Sequence, residues 1–219
     1  MIQFTTLPIR TWLNRVGQNP FNSDILEYIE GLRAVGMILD LEYGPWIAGG
    51  CLEALASGRN LEKRDIDIFY ARHNERHHNF FDLNNVLEAP GYEFNNTFWE
   101  SYAGEHSDTR KVVLNGKPLH IQRINKTYYN SAANIFGDFD FTVCQIATDG
   151  KNVFTTEQAI KDLKSKTLRI TRLKTESNTL PRIVKYTMDY GYTLAPGHLQ
   201  RIHEIIKGRE HAYSKGSNS

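Results

Sequence analysis

Apolar residues recur along the chain with two periods, and each period predicts a different element. Between Ser23 and Leu39, Ile25, Leu26, Ile29, Leu32 and Val35 fall at helical spacing. With Ser23 as N-cap and Asp24 and Glu27 in the first turn, this stretch predicts a helix packed on one face. Pro45 to Ala48 is a short apolar run that ends in Gly49-Gly50, and Cys51 to Ser57 then reads as one or two helical turns closed by Gly58. Asp65 to Tyr70 alternates with period two and contains isoleucine, so it predicts a strand with Ile66 and Ile68 on one face and Asp65 and Asp67 on the other.

Further along, Asn74 to Glu88 predicts a helix ended by Pro90-Gly91, and the aromatic stretch Tyr92 to Tyr102 suits a strand. Arg110 to Leu114 and Pro118 to Ile124 flank Asn115-Gly116, a pair that favours a two-residue hairpin turn. Phe139 to Thr148 predicts another strand, turning at Asp149-Gly150 into Lys151 to Phe154. Thr155 followed three residues later by Gln158 suggests a capping box that opens a helix through Leu163. Leu180 to Tyr190, with Pro181 in its first turn and Gly191 as its stop, and His198 to Arg209 predict two more helices. Strands interleaved with helices give an α/β (α+β) expectation, a mixed sheet flanked by helices and followed by a short helical C-terminal part. The divisions expected are a head over residues 1–175, a helical segment over 176–210 and a disordered tail over 211–219.

Composition narrows the class. The chain has 219 residues, 40% of them hydrophobic and 23% charged, which is ordinary for a globular protein large enough to fold without disulfides. The two cysteines, Cys51 and Cys144, form no CxxC, and no apolar run is long enough for a membrane span. A cytoplasmic setting and no membrane partner follow as expectations. The net charge of +1 hides an asymmetry: residues 1–150 hold 13 Lys and Arg against 19 Asp and Glu, whereas residues 151–219 hold 13 against 6. A basic last third suits a polyanionic partner such as RNA, although lysines covering solvated helix faces give the same balance.

The candidate chemistry starts at Asp65 and Asp67. Carboxylates at i and i+2 of a strand lie roughly 6 to 7 Å apart on one face, and a divalent cation relieves their repulsion. Oxygen ligands on a stiff strand suit Mg²⁺ or Mn²⁺. An aspartate pair of this kind also occurs on strand edges with no chemistry attached. Gly49-Gly50, between a strand and a helix, would let backbone amides approach a triphosphate.

Together these segments resemble a known superfamily. Trp46-Ile47-Ala48-Gly49-Gly50-Cys51 followed by Arg64-Asp65-Ile66-Asp67-Ile68-Phe69 resembles the GG…DxD signature of polymerase β-like nucleotidyltransferases, nearest to the head and neck of bacterial CCA-adding enzymes and poly(A) polymerases. Asp140-Phe141-Thr142-Val143-Cys144 resembles the family's DFT segment, Ala159 to Ile170 its leucine- and lysine-rich connector, and Arg182-Ile183-Val184-Lys185-Tyr186 its neck helix. The resemblance implies a nucleotidyltransferase fold. It further implies that Asp65 and Asp67 hold the metal, Asp140 supplies a third carboxylate or a ribose contact, and Gly49, Gly50, Arg64, Arg182 and Lys185 contact the nucleotide. The implied reaction moves a nucleotidyl group from an NTP to an acceptor hydroxyl, most naturally an RNA 3′ end, releasing pyrophosphate.

Departures from the pattern motivate an alternative. Glu53-Ala54 replaces the family's Arg-Asp after the glycines, Asp138-Phe139 replaces its paired arginines, and His120 stands where a carboxylate is usual. A catalytically weak protein of the same fold, binding nucleotide or RNA as a regulatory or antitoxin-type module, has these features too. The compact chain suits a phage gene in either case. Outside the motifs, His73, His77 and His78 on a helix suggest zinc or a solvated face, and Cys51 a small buried residue or a nucleophile. Tyr186 and Tyr190 are the aromatics best placed to stack on a base.

Overall fold

The computed structural model describes residues 2–35, 39–60, 65–71, 102–103, 107–114, 117–172, 176–200 and 202–203. The expected helix over 74–88, all but Tyr102 of the strand over 92–102, the histidines at 73, 77 and 78, Arg64 and the residues beyond 203 lie outside them.

Among the described residues, eight strands form one mixed sheet, in the order β1-β8-β7-β2-β3-β6-β5-β4. The inner strands are β2 (Trp46–Ala48), β3 (Asp65–Ala71), β6 (Lys117–Tyr129), β7 (Ile146–Thr148) and β8 (Asn152–Thr156). β1 (Phe4–Pro8) closes one edge on β8, while β5 (Ser107–Leu114) and β4 (Tyr102–Ala103) close the other. Neighbouring strands run antiparallel except β3 and β6, which run parallel. The β5–β6 hairpin is present, with Leu114 opposite Lys117. Residues 115–116, the expected turn, are not among those described.

Both faces are covered. On one, Ile66, Ile68 and Ile121 join α1 (Ile9–Val16), α2 (Ser23–Val35) and α3 (Gly50–Ala56) in the main core. Ile9, Trp12, Leu13 and Val16 are the buried stripe of α1, at i, i+3, i+4 and i+7. On the other face, Trp46, Phe69, Tyr129 and Phe136 form a smaller cluster under α4 (Ala132–Phe136).

Several boundaries differ from the sequence expectation for local reasons. Asn22, not Ser23, caps α2, its Oδ1 accepting from the Asp24 amide at 2.9 Å. The expected strand Phe139–Thr148 is split. Phe141 makes a single bridge to Ile170, Thr142–Cys144 form a 3₁₀ turn, and only Ile146–Thr148 remain strand. The Thr142 hydroxyl donates to buried Asp162 on α5 (Glu157–Lys164) at 2.6 Å, which holds that turn off the sheet. α5 is capped by Thr156, whose Oγ1 accepts from the Ala159 amide. Gln158 donates instead to Asp162 one turn on, so the reciprocal cap does not form. α6 spans Glu176–Val184 with Pro181 inside it, and continues as a π-helical turn over Lys185–Asp189. A two-strand pair of β9 (Thr167–Leu168) and β10 (Thr193–Leu194) links this end to the body.

The β7–β8 turn shows how closely the layers meet. The Asp149 Oδ1 accepts from the amides of Lys151 and Asn152, and Gly150 takes φ +83°. A Cβ at Gly150 would lie 3.0 Å from the Leu32 carbonyl oxygen and 3.2 Å from the Arg33 Cα, both backbone of α2. Gly150→Ala therefore combines a left-handed backbone with a backbone clash, and is expected to cost about 2 to 3 kcal/mol in urea unfolding. A loss below about 0.5 kcal/mol would show that α2 is free to shift.

Candidate functional site

The site follows from the alternation of β3. Asp65, Asp67 and Phe69 line one face of that strand, while Ile66 and Ile68 on the other are buried in the main core. Parallel pairing sets His120 opposite Asp65 and Gln122 opposite Asp67. His120 Nδ1 lies 3.6 Å from Asp65 Oδ1, so it faces the outer carboxylate rather than supplying a third one.

The two aspartates differ in setting. Asp65 keeps about half of its side-chain surface, 52%. The Asp67 Oδ1 is fully buried with no hydrogen-bond partner. Loss of solvent around Asp67, reinforced by the charge of Asp65 and only partly offset by Arg182, raises its pKa to about 7. A buried acceptor left unsatisfied is costly, and protonation, a donor or a cation would each relieve it. Among the described residues no three or more His, Cys, Asp or Glu cluster as a metal site. Asp65 and Asp67 could therefore hold a hard cation such as Mg²⁺ only with its other positions filled by water or phosphate oxygens.

Beside the pair stands the glycine turn. Gly49 has φ +92°, and the Phe139 ring lies 3.1 Å from the place its Cβ would take. Gly50 starts α3 and lines the same cavity, with nothing within 4 Å of its own Cβ position. The cavity measures about 810 Å³. Asp140, Arg182 and Lys185 also line it. Buried Asp140 accepts from Arg182 at 3.0 Å, so it joins the guanidinium rather than forming a cluster of three with Asp65 and Asp67. The structure therefore gathers Asp65, Asp67, Asp140, Gly50, Arg182 and Lys185 in one cavity, with Gly49 behind it.

Other candidates are used up in packing. Tyr186 is buried, 3.3 Å from the Cys144 thiol and edge-on to Tyr190, and the Arg59 guanidinium lies 3.6 Å from the Tyr190 ring centre. Neither tyrosine is an open stacking platform. Burial raises the Cys51 thiol well above its ordinary value, which fits a packing residue rather than a nucleophile. Of the basic stretch, Arg169 pairs with Asp162, Arg172 with Asp138, and Lys166 donates to Ser57, leaving Lys161 and Lys164 exposed.

Two cavity residues form a pair that the sequence did not indicate. Asp138 accepts from the Tyr129 hydroxyl at 2.6 Å and from Arg172 at 3.1 Å, and Arg172 also donates to the Gly137 carbonyl. Their 34-residue separation hides the pair, and only the sheet brings them together.

Comparison with known proteins places this geometry. The family model described as "Gabija anti-defense 2 family protein" matches residues 19–166. A relative, "Gabija anti-defense 2" of Bacillus phage SPbetaL7, is 31% identical over 162 residues, covering 71% of this chain and 36% of that protein. This chain thus spans about a third of the relative's length. Among solved structures, a CCA-adding enzyme with CTP aligns with a TM-score of 0.58 at 12% identity, over 93% of this chain and 45% of that one. A CCA-adding enzyme with ATP aligns at 0.56 and 14% identity, over 93% and 46%. At these identities the likeness is one of fold: a nucleotidyltransferase-type mixed sheet flanked by helices.

The buried carboxylate generates a pH prediction. The folded pKa of Asp67 lies above the unfolded one, so the folded state binds more protons between about pH 4 and about pH 7 and loses stability as pH rises through that window. In EDTA, Asp67→Asn is expected to melt higher than wild type at pH 8 and no higher at pH 4. Added Mg²⁺ should raise the wild-type melting temperature more than that of the variant. Equal melting of the two proteins at pH 8 in EDTA would contradict the burial of an unpaired charge.

Proposed function

The chain belongs to the Gabija anti-defense 2 family, and on that premise we propose that it is an anti-defence protein that holds a nucleoside triphosphate and a divalent cation in the cleft on β3. It acts inside the infected cell, against Gabija-type defence, through that nucleotide. The observation carrying this reading is the buried, unpartnered Asp67 Oδ1 beside Asp65, on the wall of a cavity large enough for a nucleotide.

The residues divide the work. Asp65 and Asp67 would hold the cation, and Arg182 and Lys185 would meet the phosphates from the neck. Arg182 is tied to Asp140 through one nitrogen, and its side chain is 61% exposed, so the guanidinium keeps donors for a phosphate. Gly50 leaves its backbone open to close approach. The bound cation would supply Lewis-acid stabilisation of charge on the phosphate oxygens.

A second reading adds chemistry to the binding. The half-exposed Asp65 leaves the pair reachable from outside, which favours entry of an acceptor hydroxyl. That hydroxyl would attack the α-phosphorus, forming a phosphodiester as the bond to pyrophosphate breaks and a proton leaves. The fold likeness supports an RNA 3′ end as acceptor. The internal pairing of Arg169 and Arg172 argues for a smaller basic surface than the sequence implies.

Phage plating on cells carrying a Gabija system tests the function, with the chain expressed in trans. Plating is expected to recover with wild type and to fall to the unprotected level with Asp65→Ala/Asp67→Ala. Undiminished recovery with the double variant would overturn the cleft as the working site. Incubation with α-labelled NTPs, Mg²⁺ and total RNA separates the two readings: label on RNA indicates transfer, and retention of intact NTP indicates binding alone.

A further inference from the structure

One end of the cavity has no part in holding a cation or phosphates. Going along the site face of β3, Asp65 and Asp67 give way to Phe69, and the Tyr129 ring on β6 packs edge-on to Phe69 at 5.8 Å. Tyr129 pairs in register with Ala71, four residues past Asp67, or about 13 Å of strand. There its hydroxyl fixes Asp138, which in turn holds Arg172.

We propose that Asp138 and Arg172 are the base-reading residues of this cleft, with the Phe139 ring beside them as the surface the base lies against. This rests on the nucleotide-binding reading above. Three observations support it. First, among the described residues Asp138 and Arg172 match each other's charge, so the pair has no net attraction for a triphosphate, whereas the opposite end carries two aspartates, one with a buried oxygen that has no hydrogen-bond partner. A nucleotide with its phosphates at Asp65 and Asp67 therefore directs its base toward Asp138.

Second, the pair presents an acceptor next to a donor, the complement of a base edge with donor and acceptor side by side. Carboxylate oxygens accept more than one hydrogen bond each and a guanidinium has five donors, so their mutual contact fixes both groups without exhausting them. Third, the pair is preorganised. Tyr129 holds one carboxylate oxygen, Arg172 the other, and the Gly137 carbonyl anchors Arg172 from behind. Little side-chain freedom is left to lose on binding. Half-buried Phe139 lines the cavity between the two ends, packed at right angles to Phe69 and over the glycine turn. Its ring offers the sequence-tolerant stacking that leaves selection to the polar pair.

Equilibrium binding of the purified full chain with Mg²⁺ tests this, using ATP, GTP, CTP, UTP and, as a probe without a base, ribose 5-triphosphate. Wild type is expected to prefer one base, and Asp138→Asn, which puts a donor where an acceptor stood, to change the ratio of best to worst affinity by about tenfold or more. Affinity for ribose 5-triphosphate should stay within about twofold, a result that a merely structural role would not give. Arg172→Gln, at a side chain with 53% exposure, should also shift the ratio, and it decides the matter if Asp138→Asn melts early. Unchanged preference in both variants, or equal loss for every ligand including the baseless one, overturns the proposal. Equal wild-type affinity for all four NTPs overturns it too. Failure of wild type to bind any triphosphate removes the nucleotide-binding reading itself, and this proposal with it.

Discussion

A carboxylate taken out of water must be compensated, and the architecture turns on how it compensates Glu53. This side chain, on α3 directly after the glycine turn, has no solvent exposure. Its oxygens meet Arg59, the Ser57 hydroxyl at 2.8 Å and the Tyr192 hydroxyl at 2.6 Å. Lys166 donates to Ser57, and Arg59 lies against the Tyr190 ring. The knot joins a helix from the first quarter of the chain to β9, β10 and the π-helical turn near residue 190. Removing one partner would strand a buried charge, which is why such knots hold elements in place more firmly than their net energy suggests. Because α3 begins at Gly50, the knot also sets where the glycine turn stands relative to β3. Glu53 is thus a part of the scaffold.

Asp67 has the same chemistry and the opposite circumstances. Glu53 is surrounded by donors, whereas Asp67 has a buried oxygen with none, and Asp65 beside it adds a like charge. Within one short stretch of chain the fold satisfies one internal carboxylate fully and leaves an oxygen of another bare. The difference lies in which side of the sheet each one meets. Glu53 faces helix termini and tyrosine hydroxyls, and Asp67 faces a cavity. Local strain in stability at such a position is the usual companion of a binding site.

Much of this was legible in the residues. The alternation from Asp65 to Tyr70 assigned its two faces correctly, the glycine pair fell between strand and helix, and the hairpin around residues 115–116 has the pairing its turn residues imply. α1 too is legible: Ile9, Trp12, Leu13 and Val16 make a helical stripe next to a short strand. What pattern could not supply was partner choice across distance. Phe139 to Thr148 has strand residues throughout, yet the bond from Thr142 to Asp162 bends its middle away. Tyr186 and Tyr190 have stacking chemistry and spend it on Phe141, Cys144 and Arg59. The basic last third is basic in composition, but Arg169, Arg172 and Arg182 each answer a carboxylate within the fold. Single residues do not announce whether their charge is spent inside.

The parallel pairing of β3 with β6 carries a consequence for the order of events as the chain folds. Parallel neighbours cannot be joined by a tight hairpin, and here Asp67 reaches Gln122 only after the chain has passed through β4 and β5. Cavity residues come from positions as far apart as 50 and 186, so the contacts that build it are long-range ones. Such contacts close late, after local helices and hairpins have formed. Until those partners are in place, β3 carries its two aspartates without the cavity that surrounds them in the folded chain.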